Sequence, residues 1–153
     1  MAKTYLNEEN MRDIIWGATL MGGGGGGSIS SGMMLLDSYK KDHPDETLSV
    51  EMIDAGDMPE GTYAAATAGM GAPAAIAGVD FSAWAANAFA VLRDLAARDG
   101  KTLGYNYPVE LGGFSTFFPL MLSLKTGLPT VDCDGAGPVS YTHLRAHETG
   151  RNL

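Results

Sequence analysis

Two aspartates near the end of the chain offer the clearest chemistry in this sequence of 153 residues. Asp132 and Asp134 stand two positions apart, directly after a short apolar segment that ends at Val131. Paired carboxylates after a strand can hold a divalent metal ion or share acid–base work on a substrate. Both residues are therefore candidate catalytic groups and candidate metal ligands. The alternative is an Asx turn with two solvated side chains.

A run of six consecutive glycines, residues 22–27, stands between two segments with helical patterns. Glycine loses more backbone freedom on folding than any other residue, so a folded domain keeps such a run where something approaches bare backbone. Its amides, with Ser28 capping the next helix, would suit an anion or a polarised carbonyl oxygen. The predicted ligand-binding residues here are Gly23, Gly24, Gly25, Gly26 and Ser28. A flexible linker is the alternative, because the run matches neither the dinucleotide fingerprint nor the P-loop.

A second glycine turn follows a predicted strand and carries a carboxylate, Glu110, beside Gly112 and Gly113. Glu110 is a weaker candidate for proton transfer or a supporting role. A third turn, residues 69–73, ends another strand with glycine and proline, which is where open α/β sheets place ligands. The predicted ligand-binding residues of these two turns are Gly71, Gly112, Gly113, Ser115 and Thr116.

The single cysteine, Cys133, lies between the two aspartates. Strand alternation would point its side chain away from them, and two nearby carboxylates would raise the pKa of its thiol. We therefore expect a small buried apolar side chain rather than a nucleophile. One cysteine also excludes an internal disulfide framework and fits a reducing cytoplasm.

The periodicity predicts the order helix, glycine loop, helix, strand, strand, helix, strand, helix, strand. The predicted helices begin at the caps Asn7 and Ser28, at Asp80 or Ser82, and near Phe117, with Pro119 close to the first turn of the last one. The predicted strands are residues 48–53, 63–68, 102–107 and 128–131, the second of them buried on both faces. This alternation indicates an α/β fold, with three layers and a mostly parallel sheet carrying helices on its faces. The three turns at strand ends would then share one edge, with the glycine run closing over them.

Composition narrows the function classes. A net charge of −8 argues against nucleic acid as a partner, since binding phosphates needs clustered lysine and arginine. No apolar run reaches about 18 residues, so no membrane span is expected, and the first residues lack the pattern of a secretory signal. A small molecule is the expected partner, and a homo-oligomer is left open.

The residue composition changes abruptly after residue 137, from glycine and small apolar residues to polar, basic and histidine residues. Residues 139–148 read Val-Ser-Tyr-Thr-His-Leu-Arg-Ala-His-Glu, which matches the translation of a sequencing adapter used in transposase-made libraries. We therefore treat residues 1–137 as a partial domain truncated at its C-terminus, and 138–153 as a non-native, disordered tail. His143 and His147, spaced as in helical zinc sites, belong to this tail and are set aside. Outside the tail, His43 is the only candidate base, so no Ser-His-Asp or Cys-His set is formed.

Several motifs, taken in order, resemble those of the S-methyl-thiohydantoin desulfurase family, N-terminal domain, long catalogued as a domain of unknown function beside hydantoinase and oxoprolinase genes. They are the glycine run, Met70-Gly71-Ala72-Pro73, Glu110-x-Gly112-Gly113, and Gly127-Leu128-Pro129 leading into Asp132-x-Asp134-Gly135-x-Gly137. The resemblance covers residues 6–137. Ser115 or Thr116 stands where the family pattern would place an asparagine. This departure concerns the ligand contact that the asparagine would make.

The resemblance implies a two-domain protein, with an α/β first domain, that releases sulfur from a thiohydantoin-type ring by metal-assisted hydrolysis. On this hypothesis a divalent metal near Asp132 and Asp134 activates water, loop amides steady the ring carbonyl, and Glu110 carries a proton or supports the site. The alternative is a non-catalytic domain, binding or regulatory, whose glycine loop grips a small anion or other ligand. As a truncated fragment, the chain itself is expected to be inactive.

Overall fold

The computed structural model describes residues 4–69 and 81–136, which form five strands and four helices. The strands are β1 (Thr4–Leu6), β2 (Val50–Asp54), β3 (Thr62–Thr67), β4 (Thr102–Pro108) and β5 (Thr130–Asp132). The helices are α1 (Glu8–Met21), α2 (Ile29–Asp42), α3 (Phe81–Arg98) and α4 (Gly113–Thr126), and a 3₁₀ turn, Ala55–Asp57, follows β2. In these described residues no helix combines the length and apolar character needed to cross a membrane.

The strands form one sheet in the order β1-β2-β5-β4-β3. The pairs β2–β5, β5–β4 and β4–β3 are parallel, and β1 pairs with β2 in the antiparallel direction. The predicted α/β class with a mostly parallel sheet is therefore confirmed. β1 was not predicted, because three residues are too few to show the alternation that marks a strand. Parallel order brings the carboxyl ends of β2, β4 and β5 to one edge of the sheet.

Local capping sets the beginnings of α1 and α2, as predicted. The Asn7 side chain accepts the N–H of Asn10 at 2.9 Å, and the Asn10 side chain accepts the N–H of Asn7 at 3.1 Å. Ser28 Oγ accepts the N–H of Ser31 at 3.2 Å. Such caps satisfy amides that have no partner inside the helix, which is worth about 1 kcal/mol each.

A surface ion cluster joins α1 to α2. Arg12 contacts Glu8 at 3.1 Å and Asp37 at 2.7 Å, and Lys40 also contacts Glu8. The hydrogen bond from Lys40 lowers the pKa of the Glu8 carboxyl, with Arg12 adding to the effect. The cluster fixes how the two helices on either side of the glycine run lie against each other.

Helix α4 is the centre of the core. Its side chains are buried along most of its length, Phe117 and Leu120 among them, and it contacts the sheet and each of the other three helices. The predicted position of Pro119 near the first turn is wrong: α4 begins at Gly113, so the proline lies in the helix interior. There it removes one backbone hydrogen bond, to the carbonyl of Ser115. The two glycines before Phe114 indicated a loop, but they open the helix.

Two further features of the sheet matter for the site. The prediction that the second strand is buried on both faces is wrong, because β3 lies at the sheet edge and exposes Tyr63 and Ala66.

In the interior, Ser123 of α4 joins two strands: its Oγ accepts from Asn106 Nδ2 at 2.8 Å and lies 2.7 Å from Thr130 Oγ1. All three residues of this bridge are buried.

Candidate functional site

The two glycine segments pack backbone against backbone, an arrangement that we call the glycine interlock (residues 22–27 against 111–115). The N–H of Gly113 donates to the carbonyl of Gly27 at 3.1 Å, and the N–H groups of Phe114 and Ser115 donate to the carbonyl of Gly26 at 3.1 and 2.9 Å. The amides of the first turn of α4 are thus satisfied by the loop carbonyls. The interlock explains why this chain keeps glycine at both places.

The contacts of the interlock leave no room for a side chain. A Cβ atom on Gly26 would lie 2.3 Å from the carbonyl oxygen of Leu111, and one on Gly112 would lie 2.3 Å from Gly26 Cα. On Gly22 a Cβ would lie 2.5 Å from the same Leu111 oxygen. Real Cβ atoms do not approach other atoms this closely, so close approach requires glycine at these three positions, as the sequence indicated for the run. The approaching group is the second glycine turn.

This packing decides which of the predicted ligand-binding amides are free. Gly113 and Ser115 use their N–H groups in the interlock, and Gly112 donates to Thr116 Oγ1 at 3.1 Å. Gly23 donates to the carbonyl of Leu20 at the end of α1, and Gly25 donates to the carbonyl of Gly22. Within residues 4–69 and 81–136, no group accepts from the N–H groups of Gly24, Gly26, Gly27 and Ser28. Ligand binding by the loop stays a prediction, and these are the amides available for it. Gly71 lies outside the described residues.

A cavity of about 330 Å³ opens between α1 and the carboxyl ends of β2, β4 and β5. Its volume falls within the range of small-molecule sites. Most of its lining is apolar, with a few hydroxyl, carboxyl and sulfur groups. The lining residues are Ile14, Gly17, Ala18, Met21, Met52, Pro108, Leu111, Thr116, Leu120, Thr130, Val131, Asp132 and Cys133.

Of the predicted site residues, Thr116 and Asp132 line this cavity, while Asp134 and Glu110 do not. Asp134 Oδ1 accepts the N–H of Ala136 at 3.1 Å, which is the Asx turn considered as the alternative. Glu110 Oε1 accepts a hydrogen bond from the buried Ser115 hydroxyl at 3.1 Å. The catalytic roles of Asp134 and Glu110 stay predictions. The lining side chains of Met21, Met52 and Thr130 were not predicted, because they come from elements whose packing on one another is not visible in the sequence.

A second carboxylate stands beside Asp132 that the sequence did not single out for this site. In the register of β2 with β5, Asp54 is the direct partner of Asp132. Neighbouring strands lie about 4.8 Å apart and paired residues point to the same face, so the two side chains are adjacent at the end of the sheet. Asp54 Oδ1 accepts the N–H of Gly56 at 2.9 Å. The available signal was that both aspartates directly follow predicted strands, but the pairing of those strands was unknown.

The geometry limits what metal the site can hold. In the part of the chain that the structure describes, no three His, Cys, Asp or Glu side chains come close enough to share one ion. A catalytic zinc site needs three protein ligands, whereas Mg²⁺ can be held by one or two carboxylates together with waters and substrate. The described residues therefore do not form a zinc site. The metal role of Asp132 and Asp134 stays a prediction.

Cys133 lines the same cavity as Asp132. The expectation that it would point away from the aspartates assumed that the strand continues, but β5 ends at Asp132 and the N–H of Cys133 bonds to the carbonyl of Val131 at 2.9 Å. Strand alternation does not extend past that point. The predicted direction of its pKa is confirmed: burial raises the pKa of the Cys133 thiol most, and the charges of Asp132 and Asp134 raise it further.

The glycine run and the aspartate segment flank the same turn, which joins β4 to α4. The N–H of Gly135 donates to the carbonyl of Pro108 at 3.2 Å on one side of this turn. On the other side the loop approaches Leu111, which itself lines the cavity. Backbone-exposing segments distant in sequence thus meet at one rim of the sheet, as expected. Gly137, the last residue of the predicted aspartate turn, lies outside the described residues.

Comparison with known proteins agrees with this arrangement. A crystal structure of a protein from Chromobacterium violaceum, a structural genomics target, superposes with a TM-score of 0.76 at 29% sequence identity. The match covers 88% of this chain and 36% of that chain, so the domain spans about a third of that protein's length. No curated protein matches. The family model described as "S-Me-THD-like, N-terminal domain" matches residues 9–140, and the chain belongs to this family.

Proposed function

We propose that the cavity between α1 and the sheet edge binds a thiohydantoin- or hydantoin-type ring, and that a full-length protein carrying this domain hydrolyses it. The observation that supports this most is the position of Asp132 in the lining of the cavity, at the carboxyl ends of parallel strands. Ligand sites of open α/β sheets lie at this edge. The lining suits a small planar ring, since it combines apolar walls with a few groups able to bond ring N–H and C=O.

The chemistry requires water to replace sulfur on a ring carbon. The water oxygen forms a bond to the ring carbon that carries sulfur, and the carbon–nitrogen double bond at that carbon becomes single as the nitrogen takes one of the two water protons. The carbon–sulfur bond then breaks, so that a carbonyl and a ring N–H remain. On this proposal Asp132 takes the other proton from the attacking water and returns it to the leaving sulfur, which departs as a thiol. Thr116 Oγ1 accepts the N–H of Gly112, so its own hydrogen is free to donate to a ring oxygen.

Metal assistance is the second part of the hypothesis. Asp132 and Asp134 would supply carboxylate ligands, and a metal would polarise the ring and lower the pKa of bound water. Because the described residues do not provide three ligands, further ones would have to come from substrate, water or other parts of a longer protein. The proton transfers assigned above to Asp132 do not depend on the metal.

Binding can be tested on this chain with a variant that fills the cavity. Gly17 lines it from α1, and a Cβ there meets nothing within 4 Å. Gly17→Leu should therefore fold and block the cavity, whereas the matched control Gly17→Ala should leave space for a ligand. Calorimetric titration with an S-methyl-thiohydantoin should show binding to the parent chain and Gly17→Ala, reduced at least tenfold in Gly17→Leu. Equal affinity in all three would remove the cavity as the site.

Catalysis is tested with Asp132→Asn in a full-length protein, by measuring thiol released from the same compound. We expect binding to persist and release to fall by 100-fold or more, since general-base catalysis contributes about 10²–10⁴-fold. The non-catalytic alternative has a specific observation in its favour: Asp134 and Glu110 are bonded to other groups and do not line the cavity. Binding without any thiol release in the unmodified full-length protein would favour that alternative.

A further inference from the structure

Helix α3 carries two apolar stripes, and the fold uses one of them. The stripe that faces the core includes Ala85 and Phe89, both buried. On an adjacent flank of the helix Trp84, Val91 and Leu95 are 63%, 62% and 49% exposed. Ala88 is exposed as well and lies between them. We call residues 84, 88, 91 and 95 the α3 seam.

The spacing of the seam is that of helix pairs. Steps of four, three and four residues keep side chains on one narrow line along a helix, as the a and d positions do in coiled coils. A single exposed apolar side chain needs no explanation, but a contiguous apolar patch of this kind marks a contact surface. The seam is therefore built to pack against another helix.

We propose that the α3 seam pairs two copies of this chain as antiparallel helices about a twofold axis near Ala88 and Val91. The seam is complementary to itself in that orientation. Its next position after Leu95 is Arg98, so one end is aromatic and the other cationic. Antiparallel pairing sets Trp84 of each copy against Leu95 and Arg98 of the other, where a guanidinium on an indole face is attractive. Twofold symmetry provides this contact twice.

The distribution of charge also favours dimerisation through the α3 seam. The chain has a net charge of −8, so two copies repel each other wherever acidic surfaces meet. Helix α3 contains two arginines, Arg93 and Arg98, and a single acidic residue, Asp94, which lies to the side of the seam. By contrast, the first turn of α1 carries Glu8 and Glu9. Meeting along α3 brings together a part of the surface without excess negative charge.

The size of the seam sets the expected strength of the dimer. An aromatic side chain buries about 150–250 Å² in full, so the exposed part of Trp84 contributes on the order of 100 Å². With three further apolar side chains, each copy offers roughly 400 Å² of apolar surface, so two copies bury about 800 Å² in total, which is less than a stable specific interface needs and fits a weak, transient contact. We expect a reversible dimer with a dissociation constant of about 1–100 μM.

Sedimentation equilibrium over a concentration range of about 1–300 μM tests this. The unmodified chain should shift from monomer to dimer, and Val91→Glu and Leu95→Glu should each weaken the dimer at least tenfold. Leu20→Glu on α1 is the matched control, because Leu20 is an apolar side chain that is 82% exposed and lies outside the seam. Circular dichroism verifies that each variant is folded. A monomer at every concentration, or a dimer weakened by Leu20→Glu and not by the seam variants, would overturn the proposal.

The orientation is tested by disulfide trapping. In a Cys133→Ser background, Ala88→Cys and Val91→Cys are made as separate chains with different mass tags and mixed. Antiparallel pairing places residue 88 of one copy against residue 91 of the other, so the mixed disulfide should dominate. Predominant cross-linking of like variants would show a parallel pair and refute the twofold arrangement.

Discussion

Replacing Gly26 by alanine tests the glycine interlock most directly. Gly26 has φ +63, in the left-handed region, and a Cβ there would lie 2.3 Å from the carbonyl oxygen of Leu111 and 2.7 Å from Gly112 Cα. The atoms in the way are backbone, which cannot rotate aside. The added methyl group must therefore push the loop and the turn apart.

Two effects set the expected magnitude. A left-handed conformation costs an L-residue about 1–2 kcal/mol. Separating the loop from α4 weakens the bonds from Phe114 and Ser115 to the Gly26 carbonyl at about 1 kcal/mol each, and holding them in place instead strains the packing by about 1–3 kcal/mol. The sum is about 2–5 kcal/mol, a large part of the stability of a typical domain.

Gly23 provides the matched control. It also has a positive φ, +58, but a Cβ there meets nothing within 4 Å, so Gly23→Ala carries only the conformational term of about 1–2 kcal/mol. Urea unfolding followed by far-ultraviolet circular dichroism gives both changes in the free energy of unfolding. Gly26→Ala should lower the free energy of unfolding by about 1–3 kcal/mol more than Gly23→Ala does, and its melting temperature should be about 10 °C lower than that of the parent chain. Equal effects of the two substitutions would refute close packing of the interlock.

Two further predictions concern buried groups. Ser123→Ala should lower the free energy of unfolding by about 2–3 kcal/mol, because it removes a hydrogen-bond partner from both Asn106 and Thr130. The control Ser49→Ala, at an exposed position, should change it by less than about 0.5 kcal/mol. Equal urea midpoints for the two variants would contradict the role of the Ser123 bridge. Asp132→Asn should speed alkylation of Cys133 at about pH 8.5, because removing a negative charge lowers the raised pKa of the thiol while burial still holds it up. The control Asp45→Asn should leave the rate unchanged, and an unchanged rate in Asp132→Asn would show that the charge does not reach the thiol.

Features decided within a few residues could be predicted from the sequence. The caps at Asn7 and Ser28 depend on side chains that bond amides three positions away, and both were predicted correctly. The parallel α/β arrangement followed from the alternation of strands and helices, and from it the meeting of the turns after β4 and β5 at one edge. What failed locally was the beginning of α4, since consecutive glycines before Phe114 are typical of a loop.

Pairings between distant segments could not be predicted. The glycine run was correctly expected to meet close-approaching atoms, but nothing in residues 22–27 identifies Leu111 or Gly112 as those atoms, some 85 positions later. The same holds for Asp54 beside Asp132, which depends on β5 inserting between β2 and β4. A strand inserted in this way leaves no mark on the residues of either partner, so the second carboxylate at the sheet edge became visible only with the register.

Stability and the site share one structural element in this domain. The interlock fixes the end of α1 against the turn before α4, and Met21 and Leu111, one on each side of that contact, both line the cavity. The ordering of six glycines opposes folding, and the hydrogen bonds from α4 to the loop carbonyls offset part of that entropy. The loop therefore acts first by holding together, through its carbonyl groups, the two segments whose residues Met21 and Leu111 line the cavity. Of the loop amides, those of Gly24, Gly26, Gly27 and Ser28, which the interlock leaves free, remain to contact an anion or a ring oxygen.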